Sequence, residues 1–256
     1  MNDNINNMWQ EEIGEFIENG KNNMVELLIN NELLDVQSLY FEDNKPILLS
    51  IYYEFNISTI VKLLNKGCNI NEQNDIGWFP LYIAVDKNNY VYTKFLLDNN
   101  ADINKQYYNE KDIQDKNNGK SILHILLEKP ILNLKLINLI LKYKPDVNLL
   151  DYQFNTALHY LLKNNNYKYN LIKKIIIKKI LERKPKLTLY NIDNKSILDI
   201  GNENNINLLK INKEVILKKK KSMLQICKGY NNRLGKKSSI KYLPIDLVEE
   251  MFRLSL

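Results

Sequence analysis

The chain has 256 residues, 45% hydrophobic and 26% charged, and its 36 Lys and Arg outweigh 30 Asp and Glu to give a net charge of +6. That balance excludes wholesale disorder and a collagen-like fibre, and 8 glycines with 6 prolines are few for a β-protein that turns often. Two cysteines, Cys68 and Cys227, make no metal spacing or disulfide framework, and no run of apolar residues is long enough to span a membrane.

In chain order, Met1 to Glu12 is polar and acidic, unlike a signal peptide. Asn7 to Asn19 carries Trp9, Ile13, Phe16 and Ile17 at helical spacing and reads as the start of a capping unit. From there a repeat takes over. Four segments share one loop pattern: Leu34-Asp35-Val36-Gln37, Cys68-Asn69-Ile70-Asn71, Ala101-Asp102-Ile103-Asn104 and Pro145-Asp146-Val147-Asn148; Pro185-Lys186-Leu187-Thr188 is a weaker fifth. Successive last residues are 34, 33, 44 and 40 positions apart. A second pattern follows each loop: Lys45-Pro46-Ile47-Leu48, Phe79-Pro80-Leu81-Tyr82, Ser121-Ile122-Leu123-His124, Thr156-Ala157-Leu158-His159 and Ser196-Ile197-Leu198-Asp199. Its offset from the loop is 11 in every case but one, where a polar insertion around Tyr108 to Asn118 raises it to 20. Ahead of each later loop stands an apolar pair: Leu63-Leu64, Leu96-Leu97, Ile140-Leu141 and Ile180-Leu181.

Each unit therefore reads as a helix, a tight turn, a second helix and an extended loop. A single helix pair cannot bury its apolar face, whereas stacked neighbours can. This resembles the ankyrin repeat, with the best signature matches at Phe79-Pro80-Leu81-Tyr82-Ile83-Ala84 and Thr156-Ala157-Leu158-His159, over roughly Met24 to Leu209. The resemblance implies an all-α ankyrin-repeat solenoid of about five to six units on 1–212 and a short helical tail on 213–256. Thr or Ser at the signature's first position suits a helix cap, and Pro at the second is preset for a first turn. Phe79 and Lys45 cannot cap. The third position points between repeats. The insertion falls in the loop that forms the ankyrin finger, where it is either a partner contact or a tolerated surface loop. Asn164 to Tyr169 is expected to lengthen an inter-helix loop.

Little in the chain suggests chemistry. His124 and His159 both take the signature's fourth position, where the family's histidine braces the turn. Cys68 reads as a packed thiol, and Cys227 has lysines nearby but no recognisable histidine partner. No Gly-rich phosphate loop occurs, and the paired carboxylates Glu11-Glu12 and Glu249-Glu250 diverge on a helix. The expectation is a non-enzymatic monomer without cofactor, small-molecule substrate, nucleic acid or membrane partner. Lys173-Lys174, Lys178-Lys179 and Arg183-Lys184 read as a solvated rim around a core stripe of isoleucines. The run Lys218 to Lys221 is a nuclear-import address, a reader of an anionic patch or a soluble helix surface.

Past Ile211 the repeat is expected to stop. Lys213 to Lys228 looks helical, Gly229 to Ser239 reads as a loop, and Leu243 to Leu254 as a last helix with Pro244 in its first turn. Leu243, Leu247 and Met251, flanked by Val248 and Phe252, make one broad apolar stripe that either folds back on the array or docks in a partner's groove. The segment resembles the first helix of an F-box, matched at Leu243, Pro244, Asp246, Leu247, Val248, Met251, Phe252 and Leu254. A truncated F-box after ankyrin repeats is the arrangement of the PRANC tail of poxvirus ankyrin host-range proteins. That resemblance implies docking to the Skp linker of a cullin-RING ubiquitin ligase, with a target protein on the repeats and a place in a host cytoplasm. The SOCS box, which would recruit elongin, is the rival; Asp246 stands where it has proline, and Glu249 where it has an apolar residue.

Overall fold

The protein is described from a computed structural model, covering residues 44–164 and 170–218 together with 16 and 23–24. The F-box-like residues Leu243 to Leu254, the lysines at 219–221, Cys227 and the candidate helix residues Trp9, Ile13 and Ile17 lie outside the described residues. Phe16 is helical and packs against the core.

The elements alternate in length as the repeat demands. Helices α1 (Pro46–Tyr52), α3 (Pro80–Asp86), α5 (Ile122–Glu128), α7 (Ala157–Lys163) and α9 (Ile197–Glu203) each have 7 residues. Between them, α2 (Ile57–Asn65), α4 (Tyr90–Asp98) and α6 (Leu134–Lys142) have 9, and α8 (Asn170–Leu181) has 12. The longer α8 takes up part of the stretch between the fourth signature and its next loop, while residues 165–169, expected to lengthen the inter-helix loop, lie outside the described residues. Each short helix packs on the next short one, and each is followed by a longer helix on the outer side. Among the described residues there is no strand, only isolated bridges such as Gln106 to Ser121 and Tyr190 to Ser196.

Punctuation recurs with the unit. A left-handed residue follows the short helices at Glu54, Asn88 and Asn205, and follows the longer ones at Gly67, Asn100, Lys144 and Lys184. A third set, Gly77, Gly119, Phe154 and Asn194, turns the finger. Glycine and asparagine suit this region; Phe154, with φ 57°, does not.

The core runs the length of the stack between the two helix layers. The leading residues of the apolar pairs, Leu63, Leu96, Ile140 and Ile180, are fully buried. So are the third signature residues Ile47, Leu81, Leu123 and Leu158. Leu198 is only partly buried, in keeping with its place on the last short helix described. The helical stretch 208–218 crosses the boundary expected at 212, and Leu208, Ile211 and Val215 on it are buried. Their spacing of three and four keeps one face on α9's layer, so the repeat packing outlasts the Asn-rich break at Asn202 to Asn207.

Candidate target-binding surface

The short helices start in two ways. In α1 and α3 the cap residues Lys45 and Phe79 make no side-chain cap bond, and proline fills the first turn. The other three close a capping box between first and fourth signature residues. The Thr156 amide donates to His159 Nδ1 at 2.9 Å, the Ser121 amide to His124 Nδ1 at 3.2 Å, and the Ser196 amide to Asp199 Oδ2 at 2.8 Å. With Nδ1 accepting, the His124 proton sits on Nε2, which donates to the Asn155 carbonyl of the next unit at 3.0 Å. His159 Nε2 is buried without a hydrogen-bond partner. Burial depresses both imidazoles, His159 to about 4, so both are neutral at physiological pH. Each is thus a structural brace in its own unit. They do not converge, and among the described residues no three His, Cys, Asp or Glu side chains group to hold a metal ion. Cys68 is half-buried against the core.

The loops carry a regular ladder. The side chains of Asn69, Asp102 and Asp146 each accept the amide two residues on, from Asn71, Asn104 and Asn148. Those asparagines then accept from the next unit: Asp102 N to Asn71, Asp146 N to Asn104 and Lys186 N to Asn148, each 2.8 Å. The local half of this is the expected use of Asn and Asp in turns. The inter-unit half was not read from the sequence, although the fixed two-residue spacing is its signature.

Beyond the ladder project the fingers: 72–79, 105–121, 149–156 and 189–196. The first, third and fourth are closed alike. Asn74 Oδ1, Asp151 Oδ1 and Asn191 Oδ1 accept the amides of Trp78, Asn155 and Lys195, four residues on, at 2.7, 2.8 and 3.0 Å. Fingers are also bonded to each other through the backbone, by Glu110 N to Asp75 O, Tyr152 N to Asn118 O and Ile192 N to Gln153 O. The second finger holds the insertion. Inside it, Tyr107 is buried and donates to Asp115 at 2.9 Å, while Asn118 accepts from the Asn109 amide at 2.6 Å and donates to the Asp112 and Ile113 carbonyls. At its base the buried Lys120 reaches Glu128 at 2.7 Å and Asn117 at 3.2 Å. The insertion is therefore an ordered loop tied to both neighbouring fingers.

Along the finger row stand large apolar side chains in water: Ile113 at 70% exposure, Tyr152 at 58%, Phe154 at 54% and Ile192 at 65%. Tyr108 and Tyr152 meet across fingers with ring centroids 6.1 Å apart. These residues were not singled out from the sequence. The available signal was an aromatic or aliphatic residue amid turn-forming polar ones, as in Asp151-Tyr152-Gln153-Phe154-Asn155.

One expectation about charge is overturned. Lys173 does not belong to a solvated rim: it is buried, and its ammonium donates to the Leu162 and Asn164 carbonyls at 2.9 and 2.7 Å. It caps the C-terminal end of α7, where otherwise orphaned carbonyls need a donor. Desolvation holds its pKa below the usual lysine value. The Arg183 guanidinium likewise binds the Leu141 carbonyl. Lys174 and Lys179 are exposed as expected.

Comparison with known proteins agrees with this architecture. A family model described as ankyrin repeats, in three copies, matches residues 15–107. The crystal structure of the ankyrin repeat domain of Bcl-3, described as a unique member of the IkappaB protein family, superposes with a TM-score of 0.59 at 19% identity, covering 77% of this chain and 81% of that one. No curated protein matches the chain. The fold is the expected ankyrin-repeat solenoid.

Proposed function

We propose that this solenoid is a non-catalytic adaptor: the fingers and short helices hold a target protein, and Leu243 to Leu254 bring the Skp linker of a cullin-RING ubiquitin ligase to it. The observation that carries the first half is the finger row. Exposed Ile113, Tyr152, Phe154 and Ile192 stand on backbone already fixed by inter-finger hydrogen bonds, so little ordering entropy opposes their burial by a partner. The second half rests on the F-box-like residues Leu243, Pro244, Asp246, Leu247, Val248, Met251, Phe252 and Leu254 alone. Co-purification of the full chain with the Skp linker, beside a chain ending at Tyr242, tests it: recovery with the full chain only is expected, and equal recovery overturns the reading. An elongin-bound complex would instead favour the SOCS-type tail.

A second reading has its own support. The last described turn leaves Ile216 and Leu217 exposed at the end of the stack, an apolar edge that a folded-back tail would cover. On that reading the tail is a cap, and removing 243–256 lowers the melting temperature without changing linker recovery.

A further inference from the structure

We infer that the outer face of the C-terminal units is a docking surface for anionic phospholipid bilayers. This goes beyond the adaptor reading and uses different residues. The sequence is charge-balanced over 44–133, with ten basic and ten acidic residues, but carries sixteen Lys and Arg against seven Asp and Glu over 134–218. Because units stack in chain order, that imbalance in sequence is an imbalance in space.

The excess is concentrated on the outer helices. The exposed stripe of α6 is Lys135, Asn138 and Lys142, without a carboxylate. That of α8 holds Leu171, Lys174 and Lys179, with the half-buried Lys178 beside them. The stretch 208–218 presents Leu209, Lys210 and Lys213. These stripes are contiguous. Asn138 and Lys142 share a groove with Lys179, and Lys178 pairs with Glu214 at 3.0 Å. Lys174 lies by Asn207 and Lys210 while Lys178 meets Glu214, so α8 and the stretch 208–218 run parallel and bring Leu171 and Leu209 to the same end. Glu182 and Glu214 are the carboxylates between these stripes, with Glu203 at the end near Lys210, where it pairs with Lys195, and Asp98 beside Lys142.

Charge complementarity calls for a polyanion, and the side-chain types select the lipid. Phosphate readers of nucleic acid rely on arginine forks and aromatic stacking. Here the arginine is committed to the Leu141 carbonyl, and the stripes carry lysines and no aromatic side chain of their own; the neighbouring ring, Tyr90 on α4, is already covered by the Lys135 ammonium 4.3 Å from its centroid. Leu171 and Leu209, 74% and 62% exposed, add aliphatic groups that a headgroup layer accommodates. No described helix is long and apolar enough to cross a membrane, so the contact lies along the surface. The expectation of no membrane partner rested on spanning segments and did not weigh this face.

Flotation of the full chain with phosphatidylcholine vesicles, with and without phosphatidylserine, tests the inference. Binding to the serine-containing vesicles that weakens with added salt is expected. Joint Lys174→Gln, Lys179→Gln and Lys213→Gln should cut it on the order of a hundredfold, at about fivefold per lysine. Leu171→Ser with Leu209→Ser should cut it roughly tenfold, with circular dichroism unchanged in both variants. Equal binding to uncharged vesicles, insensitivity to the lysine changes, tight duplex-DNA binding that survives the leucine changes, or salt-reversible self-association in place of lipid binding would overturn it.

Discussion

The second and third fingers solve one problem with different means. The third spans 149–156 and needs one side chain, Asp151, whose carboxylate takes the Gln153 and Asn155 amides and, through its other oxygen, the Tyr160 hydroxyl. The second spans 105–121 and, being longer, must supply its own interior: Tyr107, Asn109, Asp115 and Asn118 form a small polar core. Turn geometry closes a short loop, whereas a long one stays ordered only if its side chains satisfy the extra backbone. Both then present a fixed backbone to solvent, and Tyr152 N joins them by donating to Asn118 O.

Breaking the junction between them carries the largest expected effect. Gly119 has φ 80°, and a Cβ there would lie 2.6 Å from the Tyr152 amide nitrogen and 2.6 Å from its ring. Backbone cannot step aside as a flexible side chain can. Gly119→Ala is expected to cost about 3 kcal/mol, combining left-handed strain with displacement of the third finger. Chemical denaturation measures it. A loss below about 1 kcal/mol would show that the two fingers are not held in register at this glycine.

Acid sharpens the comparison at the helix starts behind the fingers. His124, behind the second finger, is tied to Asn155 of the third, whereas His159, behind the third, leaves Nε2 unbonded. Burial lowers the pKa of both, His159 to about 4 from an ordinary value of 6.5. In that window the unfolded chain binds protons that the folded chain refuses. Stability is therefore full above about pH 6.5 and declines as pH falls towards 4, with a slope of at most about 1.4 kcal/mol per pH unit for each histidine. His159→Gln keeps a capping-box residue at its place and removes one titration. Melting temperature against pH should fall less steeply in that variant; an unchanged slope would discharge His159 from the acid response.

Much of the architecture was legible because it rests on periodic constraints. Buried Leu63, Leu96, Ile140 and Ile180 keep one phase, and Pro46 and Pro80 mark first turns where no cap was available. Lys173 was misread because a sequence shows a lysine among lysines, not the α7 carbonyls that arrive from another segment. Asn204 and Asn205 look like an exit from the array in the sequence, while in space Asn205 takes the left-handed place that Asn88 takes after α3, and helix resumes at 208. The inserted finger is legible in the sequence, but the exposed row of Ile113, Tyr152, Phe154 and Ile192 is not, because exposure depends on the neighbouring finger, which no local window contains.

Phe154 gives the smallest effect on stability and the clearest separation of roles. It stands at φ 57°, where the other fingers use Gly77, Gly119 and Asn194, and its ring is 54% exposed. A bulky residue in the left-handed region costs on the order of 1 kcal/mol, and exposed aromatic surface returns none of it. A residue that strains the fold while leaving over half of its surface in water is explained by what it does outside the fold. Phe154→Gly should therefore leave stability equal or raise it by up to about 1 kcal/mol, while capture of the target protein weakens by tenfold or more. Were stability instead to fall with Phe154→Gly, the ring would be a structural part of the third finger and the finger row would lose its strongest residue; were stability held and capture intact, the partner would have to sit elsewhere on the array.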